Sequence, residues 1–227
     1  MGRKRGSFGS NSAMRKATTS QGSADIPSKE HHPTKEHLIS TVCGLLDSQA
    51  LHEVTVGQVL QVSGISKGSL YHHFEDFSHL LEVSLVRGFT TSVDQSIAVI
   101  SAVVRQSANR DEFYRGLVKV TEATQAPSLR LTRFKRARIV VLTDGNERLG
   151  KIMALEQQRL TDALTDLVAE SQRKGWINPK LDARASAVLI QAYTLGKIVD
   201  DVAPNPMDHQ KWNDLITTIM YQVFGTE

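Results

Sequence analysis

The chain has 227 residues, 40% apolar and 22% charged, which supports one extended domain or two modest ones and excludes a wholly disordered chain. The longest apolar runs, such as Ile139 to Leu142, are a few residues, so no membrane span is expected, and the single Cys43 excludes an intramolecular disulfide. The net charge of +3 is unevenly spread.

Residues 1–33 carry Arg3, Lys4, Arg5, Arg15, Lys16 and Lys29 against Asp25 and Glu30, a net +4. They show neither a strand nor a helix period and read as a disordered basic tail. The start does not read as a secretory signal, and a reducing cytoplasm is the expected location. Residues 34–80 hold Lys35 and Lys67 against Glu36, Asp47, Glu53, Glu75 and Asp76, a net −3. Arg3, Lys4, Arg5, Arg15 and Lys16 are therefore candidates for an arm that reaches nucleic acid beside this acidic segment.

From Thr34 onward helical punctuation recurs and no alternating strand pattern emerges, so the expected fold class is all-α, with about nine helices. The first spans 34–49, with Leu38, Val42, Leu45 and Leu46 on one face. Thr55 caps a short second helix over 56–62. Ser63-Gly64-Ile65 interrupts it, and Ser66 caps a third helix over 67–73. A long fourth helix starts near Asp76. Further helices are expected at 110–124, 128–143, 146–174, 182–202 and 208–224, separated by Pro127, Gly145, Gly175, Pro179, Pro204 and Pro206.

The stretch from Thr55 to Phe74 carries the most information. Two helices of about two turns, joined through Gly64, match a helix-turn-helix, in which the turn needs a residue at ease at positive φ. Val59, Val62, Ile65, Leu70 and Phe74 can form a small common core. Lys67, Gly68, Ser69, Tyr71, His72 and His73 remain on the outward face of the third helix. That face offers a cation, a bare backbone position and several hydrogen-bonding groups, which suits phosphates and base edges in a major groove.

The run Ser66-Lys67-Gly68-Ser69-Leu70-Tyr71-His72-His73-Phe74, with Thr55-Val56 before it and Leu80-Leu81 after it, resembles the signature of the tetracycline-repressor-like (TetR) family of transcriptional regulators. The match covers roughly residues 34–84, and beyond it helix number, length and order agree. The resemblance implies a DNA-binding domain at 34–80, a helical ligand-binding and dimerisation domain at 81–227, and no catalysis. By position it implies phosphate or base contacts from Lys67, Tyr71 and His72, close backbone approach at Gly68 and a Thr55 cap near a phosphate; Ser66, Ser69 and His73 are further candidate DNA-binding residues. Three positions depart from the family pattern. Ala50 stands where Gly usually ends the first helix, Leu60 replaces a small residue, and Phe77 takes the place of a lysine that would touch phosphate.

The remaining features are weaker. His31-His32, His72-His73 and His79 do not suggest a metal site, because adjacent helical residues diverge by about 100°. Arg130, Arg133, Lys135, Arg136 and Arg138 crowd one helix. They can solvate it, recognise an anionic effector, or dock against the acidic residues 34–80; of the last two, docking is the preferred one. No catalytic constellation or cofactor motif is present, so none is expected.

The expected function is a sequence-specific DNA-binding regulator, a repressor released by a small-molecule effector, with an operator duplex as partner. Phe89, Val93, Phe113, Tyr114, Leu117, Trp176 and Tyr193 are the candidate effector-pocket residues, chosen for size and helix position. A homodimer is expected through the last two helices, using Ala185, Leu189, Ala192, Gly196 and Val199, then Trp212, Leu215, Ile216, Ile219 and Val223. The alternatives are a constitutive DNA-binding protein without effector, and a helical enzyme or carrier.

Overall fold

The computed structural model describes residues 32–225. The expected basic tail lies outside the described residues except for His32 and Pro33. Every regular element among them is helical. Helix α1, Pro33–Ser48, begins on a proline, whose missing N–H and preset φ suit the first helical position. A 3₁₀ turn, Leu51–Glu53, leads to α2, Val56–Ser63, and α3, Lys67–His73. Asp76 caps α4, Phe77–Gln106, its carboxylate accepting from the His79 amide at 2.6 Å. Then follow α5, Arg110–Gln125; α6, Arg130–Val141; α7, Glu147–Arg173; α8, Ala183–Gly196; α9, Ile198–Asp201; and α10, His209–Ile219.

Two boundaries differ from the sequence expectation. The helix expected over 182–202 breaks at Lys197, whose N–H turns back to the Leu195 carbonyl just after Gly196, a residue that weakens helix interiors. The helix expected over 208–224 leaves α geometry after Ile219 and ends in a π turn, Met220–Phe224. That turn buries both Met220 and Phe224, and the Phe224 carbonyl accepts from the Asn178 amide at 2.8 Å.

Three apolar cores stack along α4. Leu80, near its start, joins Leu38, Ile39, Val42, Val54, Val59, Leu70 and Phe74 in the first core, which holds α1, α2 and α3 together. Val86, Phe89 and Val93 enter the second, with Ile139, Leu149, Met153, Leu160, Leu164 and Ala187. Val104 joins the third, with Phe113, Tyr114, Val168, Trp176, Ile177, Ile216, Met220 and Phe224. Where α4 meets α5, a Cβ on Gly116 would stand 2.7 Å from Val103 Cγ1. Gly116→Ala is expected to lower the unfolding free energy by about 1 to 2 kcal/mol in urea denaturation, the clash outweighing the gain in helix propensity.

Among the described residues, no helix is long and apolar enough to cross a membrane.

Candidate nucleic-acid interface and effector cavity

Thr55 caps α2, its hydroxyl accepting from the Gln58 amide at 3.3 Å, and Ser66 caps α3, accepting from the Ser69 amide at 3.2 Å. Between them Gly64 takes the left-handed conformation, φ 66°, and its N–H donates to the Leu60 carbonyl at 3.0 Å. A β-carbon there would be strained, so glycine makes the sharp turn available. Val59, Leu70 and Phe74 are buried and Ile65 packs beside them, anchoring the pair on α1. Val62 does not join that core. The face of α2 in the small core is that of Val59 and Leu60, which leaves Val62 60% exposed.

The outward face of α3 carries Lys67, Gly68, Tyr71 and His72 in the open, with Ser69 and His73 half-buried. A Cβ at Gly68 would meet nothing within 4 Å, so the backbone there is open to close approach. The His72 and His73 rings meet edge-on at 5.0 Å. Among the described residues no three His, Cys, Asp or Glu side chains converge as metal ligands.

The three departures resolve physically. Ala50 is extended, φ −75°, ψ 151°, so no left-handed penalty arises, and its N–H donates to the Glu53 carboxylate at 2.7 Å. Leu60 and Phe77 are half-buried and pack on the first core. Phe77 therefore serves as an anchor where a phosphate-binding lysine was absent.

Cations from later helices meet the acidic excess of residues 34–80. Lys135 pairs with Asp47 at 3.1 Å, and Arg87 with Glu36 at 3.0 Å. Arg148 reaches Glu75 at 2.8 Å, Asp76 at 3.9 Å and Glu82 at 2.6 Å. Partial burial works to raise the Glu82 pKa, but hydrogen bonds from Arg148 and Asn146 outweigh it and hold the carboxyl below its usual range. These pairs offset much of the negative charge carried by residues 34–80. They also bear out the docking expectation for Lys135.

A cavity of about 80 Å³ lies within the third core, between α4, α5, α7, α8 and the π turn. Phe113, Tyr114, Leu117 and Tyr193 of the expected pocket line it. Trp176 instead packs on Phe113, ring centroids 5.2 Å apart, and Phe89 and Val93 belong to the second core, nearer the start of α4. Ile100, Thr121, Leu164 and Met220 are lining residues that size-based selection missed. Thr121 and Tyr193 bring their hydroxyls to 3.4 Å, and the Tyr114 hydroxyl donates to the Trp176 carbonyl at 3.1 Å. No lining side chain carries a charge. The space suits a small neutral apolar molecule; a larger one would need the walls to move.

On α8, Ala185, Leu189, Ala192, Gly196 and, beyond the break, Val199 are all exposed along one side. The stripe on α10 divides. Ile216 is buried, Trp212 and Ile219 pack on the third core, and Leu215 and Val223 remain exposed.

A helix-turn-helix built on α1 and seated on a long α4 is followed by a helical body with its own cavity. This is the fold of TetR-family transcriptional regulators. A TetR-family transcriptional regulator from Mesorhizobium loti superposes with a TM-score of 0.65 at 14% identity, covering 86% of this chain and 98% of that one. A transcriptional regulator from Saccharomonospora viridis, solved in complex with choline, gives a TM-score of 0.64 at 13% identity over 86% of this chain and 99% of that one. The HTH-type transcriptional regulator UidR of Escherichia coli K12 is 18% identical over 174 residues, 75% of this chain and 83% of that protein. No protein-family model matches the chain.

Proposed function

We propose that the protein is a homodimeric, sequence-specific DNA-binding regulator, a repressor whose operator affinity falls when a small molecule occupies the cavity of the third core. The observation that carries this reading is the outward face of α3, with Lys67, Gly68, Tyr71 and His72 exposed on a helix whose opposite side is buried. In this reading residues 34–80 meet the duplex and residues 81–227 bind the effector and the second subunit. Thr55 and Ser66 hold helix N-termini toward phosphates, Lys67 neutralises one, and Tyr71, His72 and His73 face base edges with Ser69. A neutral effector follows from the uncharged lining. The non-enzymatic reading draws on the regulators that share the fold.

Selection from a random duplex library, followed by anisotropy titrations against salt, tests it. The expected result is enrichment of two half-sites related by two-fold symmetry. Lys67→Ala is expected to weaken binding to every sequence alike and to reduce the salt slope by about 0.9 per site. No enrichment, or an unchanged slope in the variant, would overturn the assignment of α3.

A further inference from the structure

A cleft of about 970 Å³ opens between α1, α4 and α6, separate in its lining residues from the cavity of the third core. Its position gives special weight to the cations of α6. Arg130 lies over the Phe134 ring at 4.7 Å and donates to the Asp201 carbonyl at 3.0 Å. Arg133 is consumed by the Asp201 carboxylate and Lys135 by Asp47. Arg136 is different. It lines the cleft half-buried, and among the described residues no carboxylate or carbonyl receives its guanidinium. Burial alone pushes its pKa down. Its guanidinium is partly shielded by the cleft walls but still open to solvent, so an anion entering the cleft can pair with it without displacing a protein partner.

The charge balance of the walls points the same way. Of the cations that line the cleft, Lys135 is neutralised by Asp47 and Arg87 by Glu36, which leaves Arg136 and Arg138 as the excess charge, so the potential favours anions. Two glycines keep part of the wall free of side chains. Gly44 and Gly88 both line the cleft from within helices, and a Cβ on either would meet nothing within 4 Å. Gly116, by contrast, is required by a neighbouring side chain. The bare backbones of Gly44 and Gly88 leave that stretch of the cleft wall unobstructed.

We propose that this cleft binds a small amphipathic anion, its carboxylate or sulfonate paired with Arg136 and its apolar body laid against Leu85, Leu131 and Phe134. Such a ligand differs in class from a neutral occupant of the inner cavity, which offers no cation. It would touch α1 and α6 together, and so bear on how the helix-turn-helix is held.

Cys43 makes the test specific. It lines the same cleft, its thiol donates to the Ser84 carbonyl at 3.4 Å, and the chain has no other cysteine. The probe is 8-anilinonaphthalene-1-sulfonate, titrated by fluorescence into the full-length protein, with neutral N-phenyl-1-naphthylamine as control. The sulfonate is expected to saturate at one per chain and to slow N-ethylmaleimide reaction at Cys43. Arg136→Gln is expected to weaken the sulfonate about tenfold or more while leaving the neutral dye within about twofold. Gly88→Phe, which fills the space and leaves Arg136 intact, is expected to weaken the sulfonate comparably and serves if Arg136→Gln does not fold. Unchanged sulfonate affinity in the folded variants, or a Cys43 rate indifferent to the sulfonate, would overturn the proposal.

Discussion

Replacing Arg133 with alanine is expected to lower the unfolding free energy by about 3 to 5 kcal/mol, the largest loss from any single change considered. Arg133 and Asp201 are both buried, their side chains 4% and 8% exposed. The guanidinium grips the carboxylate through Nε–H to Oδ2 at 2.5 Å and Nη2–H to Oδ1 at 2.8 Å. Its Nη1–H also donates to the Ala126 carbonyl at 3.2 Å, at the end of α5. One side chain thus ties together α5, α6 and α9. Removing it leaves a buried carboxylate with only Lys197, at 4.0 Å, and Arg130 as charged neighbours. At about 2 to 4 °C per kcal/mol, the melting temperature should drop by roughly 6 to 20 °C.

The same pair sets a pH dependence. Hydrogen bonds from Arg133 hold the Asp201 carboxyl below its ordinary range, against the opposing effect of burial. A carboxyl depressed in the folded state contributes stability above its unfolded pKa of about 3.9 and loses it as pH falls through the folded value. Urea unfolding at pH 7 and pH 3 should therefore show a smaller acid loss in Asp201→Asn than in the natural chain. An Arg133→Ala loss below about 1 kcal/mol would mean that water replaces the guanidinium and that the pair is not a structural tie.

On the proposed α8 interface, Ala192→Arg is expected to leave the protein monomeric at micromolar concentration in sedimentation analysis, where the natural chain is expected to be dimeric. It should weaken operator binding by roughly 10²- to 10⁴-fold, because a monomer meets one half-site and forfeits the effective concentration of the second. Ala192 sits in the middle of an exposed α8 face flanked by Leu189 and Gly196. A long cation there blocks close helix approach and cannot be buried unpaired. A variant that stays dimeric would move the interface elsewhere.

The helix-turn-helix was legible because its determinants are local. Caps at Thr55 and Ser66, a left-handed Gly64 and buried Leu70 and Phe74 are each dictated within a few residues. Val62 escaped because the neighbour packed on a two-turn helix decides which face is inward, and periodicity does not name that neighbour. The cavity was half legible. Phe113, Tyr114, Leu117 and Tyr193 were found through size and helix position, but Phe89 and Val93 equally satisfy those criteria and lie in another core. Which turns of α4 belong to which core depends on where α5, α6 and α7 cross it. The inward turn of Met220 and Phe224 comes from a π geometry that no local residue pattern announced. Among the cations of α6, the individual partners were illegible because Asp47 and Asp201 are distant in sequence.

Because α4 contributes Leu80 to the first core and Ile100 and Val104 to the cavity wall, it is a stiff rod gripped at both ends. The 24 residues from Leu80 to Val104 span about 36 Å at helical rise. Swinging such a rod by about 5° carries its far end through roughly 3 Å, close to one base-pair step. In the proposed two-fold dimer the displacement would double, since the two ends would swing in opposite senses. In the proposed repressor, a molecule that shifts one wall of the cavity would in this way put the two recognition helices out of phase with the groove.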